Sequence, residues 1–209
     1  MSEVKGTRIT RSQRAQQTRL RITRAAYELF TQRGYPATTM GEVAAAAGVA
    51  VQTVHFVFGT KAQLLHATYD FAVIGEGEQL PPEQQPWYTQ MIAAERLPDA
   101  LRLLVDNVGQ VLARTAPLDD FVKAASVDPD PAQVRAQKEK QRRDAWTAMI
   151  DHLAARFPLR EGLTRQHAVD ILLVLLGPAT YQTLVGEYGW TPDDWSTWCA
   201  TATAEQIFT

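Results

Sequence analysis

Two short helical stripes hinged on one glycine constrain this chain more than any other feature. Thr39 and Glu42 stand at capping-box spacing, where hydroxyl and carboxylate each satisfy a free backbone N–H at a helix start. Met40, Val43, Ala44 and Ala47 then recur on one face. Gly48 follows, able to take the left-handed conformation that ends a helix sharply. A second short helix spans roughly Val51 to Val57, and Gly59 breaks the chain again. Thr60 and Gln63 repeat the capping spacing and open a fourth segment with Leu64, Leu65, Thr68, Phe71 and Ala72 on one face. Two helices joined by a Gly-centred turn over residues 39–56 are the spacing of a helix-turn-helix. In that motif the second helix enters the DNA major groove and the first braces it.

The remaining patterns are helical as well. Ile22, Ala25, Ala26, Leu29 and Phe30 predict a helix from about Thr18 to Arg33, stopped by Gly34 and Pro36. Residues 75–86, rich in Gly, Pro, Glu and Gln, predict a loop. Helical stripes follow over Leu97–Arg114 and Leu118–Val127. Asp130 and Pro131 open a helix reaching about Phe157. Another spans Thr164–Tyr188 with a distortion at Gly177-Pro178, and Asp193 or Asp194 starts the last. No alternating run or Asn-Gly or Asp-Gly hairpin turn argues for a strand. The expected architecture is all-α: a basic flexible arm at 1–17, a three-helix helix-turn-helix domain at 18–64, and a helical ligand-binding and dimerisation domain at 65–209.

Charge agrees with DNA as the partner once it is located. The formal net charge of −2 is nearly neutral, yet residues 1–24 hold Lys5, Arg8, Arg11, Arg14, Arg19, Arg21 and Arg24 against Glu3 alone. That segment carries +6 and the rest of the chain −8. A basic arm ahead of a helix-turn-helix can grip phosphates or reach a minor groove. On the third helix Val51, Gln52, Thr53 and His55 are the exposed positions; Gln52 and Thr53 can bond base edges and Val51 can touch a thymine methyl. Lys61, at the start of the fourth helix, is placed to meet a phosphate.

Other classes lose ground. The sole cysteine, Cys199, supports neither an intrachain disulfide nor a structural zinc site, which fits a reducing cytoplasm. The most apolar run, Ile171–Leu176, falls short of the roughly 18 residues that a membrane span needs. The N-terminus lacks the apolar stretch of a secretory signal. His55, His66, His152 and His167 are dispersed, no catalytic motif is present, and Asp119-Asp120 and Asp193-Asp194 read as helix caps. No enzyme activity, cofactor or metal is expected.

The stretch Arg24–Thr39, then Val43-Ala44, Ala47-Gly48-Val49, Thr53 and Lys61–Leu65, resembles the N-terminal domain of the TetR family of transcriptional regulators. The resemblance covers about residues 18–68; beyond it only the helical layout is similar. Pro178–Tyr181 and Gly189–Trp195 are similar to an actinobacterial subgroup. The resemblance implies a cytoplasmic homodimer on a near-palindromic double-stranded operator, released by a small molecule. It implies phosphate contacts at Thr39, His55 and Lys61 and base-facing positions at Val51, Gln52 and Thr53, to which the charge of the basic segment adds Arg19 and Arg21 as DNA-binding candidates. Ala50 stands where the family has a capping Ser or Thr, His55 where it has Tyr, and Val57 where it has His. Those departures leave a second reading, a helical small-molecule-binding protein with weak DNA affinity.

Trp87, Met91, Asn107, Phe121, Trp146, Met149, Ile150 and Tyr181 are the candidates for an effector pocket, which is mostly apolar with a few polar groups. Leu172, Leu175, Leu184, Trp195 and Trp198 are the candidates for a dimer interface, since the last two helices carry more apolar surface than one subunit buries easily.

Overall fold

The computed structural model of the chain describes residues 10–75, 84–124 and 129–209, with side chains described outside 120–131. Lys5, Arg8 and the side chain of Phe121 therefore lie outside the described residues. Among those described the chain is helical, and its only β pairing is an isolated antiparallel bridge between Leu159 and Phe208. It divides into two compact units, residues 1–71 and 72–209.

In the first unit α1 spans Arg11–Arg33, α2 Met40–Ala47 and α3 Val51–Phe58, and α4, Lys61–Ile74, begins there. Helix α1 starts at Arg11, seven residues ahead of the expected Thr18. Thr10 accepts from the Gln13 N–H while Gln13 returns a bond to the Thr10 N–H, a complete capping box. Arg11 and Arg14 thus stand on an ordered helix. The core is built by Ile22, Ala26, Phe30, Val43, Val54, Leu64 and Leu65, each almost fully buried. Gly48 adopts φ 64°, ψ 42°, and its N–H reaches the carbonyls of Ala44 and Ala45. That left-handed cap costs a side-chain-bearing residue strain that glycine escapes, and it turns α3 through 108° from α2.

In the second unit α5 spans Pro86–Ala93, α6 Leu97–Ala124, α7 Pro129–Ala154, α8 Arg165–Leu175, α9 Pro178–Tyr181 and α10 Pro192–Ile207. Helix α5 has no helical stripe in the sequence; only Met91 of its eight residues is buried, too little for a periodic signal. Helix α6 is continuous through Pro117, where a break was expected. Buried Thr115, Ala116 and Leu118 flank the proline, so packing holds the helix where one backbone bond is lost. Arg114 on α6 donates from Nε to the Ala72 carbonyl at 2.7 Å and from Nη2 to Val73 at 3.1 Å, satisfying the last turn of α4.

The long final pattern is interrupted as expected: α8 ends before Gly177, and residues 182–187 form a π turn. The segment Arg165–Glu187 is long and apolar enough to cross a membrane by length and composition alone, a test that the core helix of a soluble protein also passes. Ala168, Val169, Leu172, Leu173 and Leu176 of this segment are buried within the unit's own core. Helix α10 is capped by Thr191, not by either aspartate; Asp194 is the third-residue partner in that capping box.

Helices α6 and α10 share the tightest seam. Trp195 is fully buried, and its ring lies so near Gly109 that a Cβ there would stand 3.2 Å from a ring carbon. Tyr181 meets the same indole edge-to-face at 5.1 Å. At the rim Arg102 bonds Asp106, Thr197 and Asp193, and Ser196 donates to the other Asp106 oxygen. One guanidinium thereby ties α6 to the first turns of α10, where acidic side chains also favour the helix dipole.

Candidate nucleic-acid interface

Helix α3 buries Val54 and Phe58, four residues apart, and turns its opposite face outward. Gln52 and His55 are exposed, while Val51 and Thr53 are half-buried. Phe56, which the sequence reading passed over, is 91% exposed. It follows buried Val54 by two residues, a rotation of roughly 200° on a helix, and that spacing was the available signal. An exposed phenyl between a histidine and two polar side chains suits apolar contact with base edges or thymine methyls.

His55 has its Nδ1 3.2 Å from the Gly59 carbonyl. A carbonyl only accepts, so Nδ1 donates and Nε2 is the nitrogen left for a DNA contact. Ala50 makes no side-chain cap; the Thr53 N–H donates instead to the Ala50 carbonyl at 2.9 Å. The expected absence of a serine or threonine cap is thus a feature of the fold.

The start of α2 gathers a charged cluster. Exposed Thr39 donates its hydroxyl hydrogen to Glu42 Oε2 at 2.8 Å and accepts from the Glu42 N–H at 3.2 Å. Arg33 pairs with Glu42 at 3.2 Å. The Thr39 hydroxyl, then the Thr39 N–H, hold the Glu42 carboxyl below its ordinary value, and the charges of Arg33 and Lys61 act in the same direction. A carboxyl with a lowered folded pKa stabilises above its unfolded value and loses that contribution as pH falls through the folded one. We expect the first unit to weaken below about pH 4.5 and Glu42→Gln, which keeps an acceptor but does not titrate, to flatten that limb. Thermal unfolding followed along an acid series measures it; superposable curves for both proteins would refute the assignment.

Two of the sequence-chosen cations sit on buried rings. Lys61 Nζ lies 4.2 Å from the Tyr35 ring centroid and 3.5 Å from the Pro36 carbonyl. The Arg19 guanidinium lies 4.6 Å over Phe58. Arg21 is exposed on α1. The interface thus brings Thr39 and Lys61 to one end of α2, and Arg19 to the α3 side of the unit.

The other candidates fall differently. Met91, Trp146, Ile150 and Tyr181 are buried in one core cluster, with Trp87 and Met149 packed against it, and Asn107 is half-buried on α6. Burial raises the Tyr181 hydroxyl pKa and pushes the Cys199 thiol up to about 12, so no thiolate is available there. Among the described residues no cluster of three His, Cys, Asp or Glu side chains could hold a metal. Leu172 and Trp195, assigned to a dimer interface from sequence, are fully buried inside their own subunit. Leu175 and Leu184 are half-buried and Trp198 is 40% exposed. Val174, which was not among the interface candidates, is 67% exposed and helps line a cleft of about 600 Å³ together with Leu163, His167, Asp170, Ile171 and Leu175.

Residues 22–68 match the family model for bacterial regulatory proteins of the tetR family. Solved structures share the whole fold at low identity. A protein assigned to the TetR family of transcriptional regulators in Mesorhizobium loti MAFF303099 is 19% identical, with TM-score 0.71, covering 94% of this chain and 99% of its own. NalD of Pseudomonas aeruginosa, the secondary repressor of the MexAB-OprM multidrug efflux pump, is 20% identical with TM-score 0.65, covering 93% and 98%. SmeT in complex with triclosan is 16% identical with TM-score 0.68, covering 92% of each chain. The matches single out no actinobacterial subgroup. No functionally curated protein matches the sequence.

Proposed function

We propose that this chain is a DNA-binding transcriptional regulator, a homodimeric repressor held on a near-palindromic operator and released by a small apolar effector; the match of residues 22–68 to the tetR-family model supports the reading. One observation carries the reading. Helix α3, turned 108° from α2, presents Gln52, His55 and Phe56 outward beside the cations Arg19 and Lys61. That is a base-reading surface bordered by phosphate-gripping charge.

The apolar effector rests on the lining available in the second unit, where Met91, Trp146, Ile150 and Tyr181 share one cluster. The repressor role draws on NalD and the bound small molecule on SmeT, each of which shares the fold. The homodimer rests on the last turn and a half of α8, residues 171–175, where every side chain is apolar: Leu172 and Leu173 face the core while Ile171 and Val174 face the cleft.

A mobility shift on DNA upstream of the chain's own gene tests the reading. Binding should weaken steeply with salt. Lys61→Ala should lower the logarithmic salt slope by about one and weaken all sequences alike, whereas changing Gln52 should alter preference among sequences. Absence of salt-dependent binding to any genomic fragment would favour the second reading, a ligand binder without DNA affinity.

A further inference from the structure

We infer that Tyr35 is a positioning residue for DNA binding: its buried ring is a seat that holds the Lys61 ammonium at the start of α2, ready for a phosphate. The inference rests on the DNA-binding reading above and adds a residue to it.

Tyr35 lies in the turn between α1 and α2 and is only 6% exposed. Its ring packs against Phe30 in a tilted pair, with centroids 5.6 Å apart. The Lys61 Nζ stands 4.2 Å above the ring centre, well within cation–π range, and 3.5 Å from the Pro36 carbonyl. The charge of Lys61 is felt at Glu42, whose carboxylate closes the α2 capping box with Thr39. The ring and the Pro36 carbonyl therefore hold the ammonium beside the turn that leads into α2, where its charge reaches the Glu42 carboxylate.

A lysine on a four-carbon stem loses much rotamer freedom when it grips one phosphate oxygen. A seat that restricts the ammonium beforehand removes part of that cost from the binding step. The cation–π contact is made by the ring, so phenylalanine should keep the seat and an aliphatic side chain of similar volume should not. The effect must also vanish when the lysine is absent.

The test uses the full-length protein and a fluorescein-labelled duplex of mixed sequence, because phosphate contacts do not depend on sequence. Anisotropy titrations over a salt series give affinity and slope. Tyr35→Leu should weaken binding roughly three- to tenfold, and Tyr35→Phe less than about twofold. In a Lys61→Ala background Tyr35→Leu should change nothing further. Loss of the same size in that background would make Tyr35 structural and overturn the seat. So would wild-type affinity in Tyr35→Leu. A wild-type protein that binds no duplex would sink the DNA-binding reading itself and the seat with it. Should Tyr35→Leu fail to fold, the wild type still answers by NMR: ring current should shift the Lys61 Hε protons upfield of those of other lysines. Ordinary shifts for those protons would overturn the seat.

Discussion

Trp195→Ala is expected to lower the stability of the second unit by about 3–5 kcal/mol, the range for emptying a large aromatic site in a close-packed core. For a unit of this size that is a drop in melting temperature of roughly 10 °C or more. The indole is fully buried, rests on Gly109 and meets Tyr181 edge-to-face. Gly109 cannot close the gap, having no side chain to move, so most of the cavity persists. The loss should be the same at low and high protein concentration, because every contact involved lies within one chain. An interface residue behaves otherwise, since dimer stability depends on protomer concentration. Trp195→Phe supplies the control. The indole Nε1 is buried with no hydrogen-bond partner, so phenylalanine removes an unsatisfied donor along with some volume. Its cost should be less than about half that of alanine. Thermal unfolding of the three proteins at two concentrations decides the matter; a concentration-dependent loss in Trp195→Ala would return the residue to the interface.

The two α8–α10 assignments show where sequence stops being informative. Residues 171–176 are Ile, Leu, Leu, Val, Leu and Leu, apolar on every face. Such a helix must be covered all round, but its sequence does not say which face its own subunit covers. Only the neighbouring helices decide that Leu172 turns inward and Val174 outward. The first unit was legible because each helix there has a single apolar stripe and a signalled end. Thr39, Gly48 and Thr60 mark boundaries that the structure reproduces within a residue. The start of α1 escaped because its capping box uses glutamine at the third position within a polar stretch with no stripe. Tyr35 escaped for a different reason: its partner Lys61 is distant in sequence, and only the fold brings the ammonium over the ring.

Val174→Glu is expected to break the proposed homodimer and with it operator binding, while leaving each subunit folded. Val174 is 67% exposed, so a carboxylate there meets water in the free subunit and costs little. In a two-fold dimer the same patch faces its own copy, so each substitution appears twice and like charges come together in an apolar setting. Like-charge juxtaposition of this kind costs on the order of 3 kcal/mol, which raises the dissociation constant about 100-fold. On this helix Asp170 is already paired with Arg143 at 2.7 Å. Sedimentation should find monomers where the parent is dimeric, with unchanged helical content. Operator affinity should fall as well, because two half-sites are no longer bound by one tethered pair. A Val174→Glu protein that remains dimeric would move the interface off the α8 face, and the exposed Trp198 on α10 would be the next position to charge.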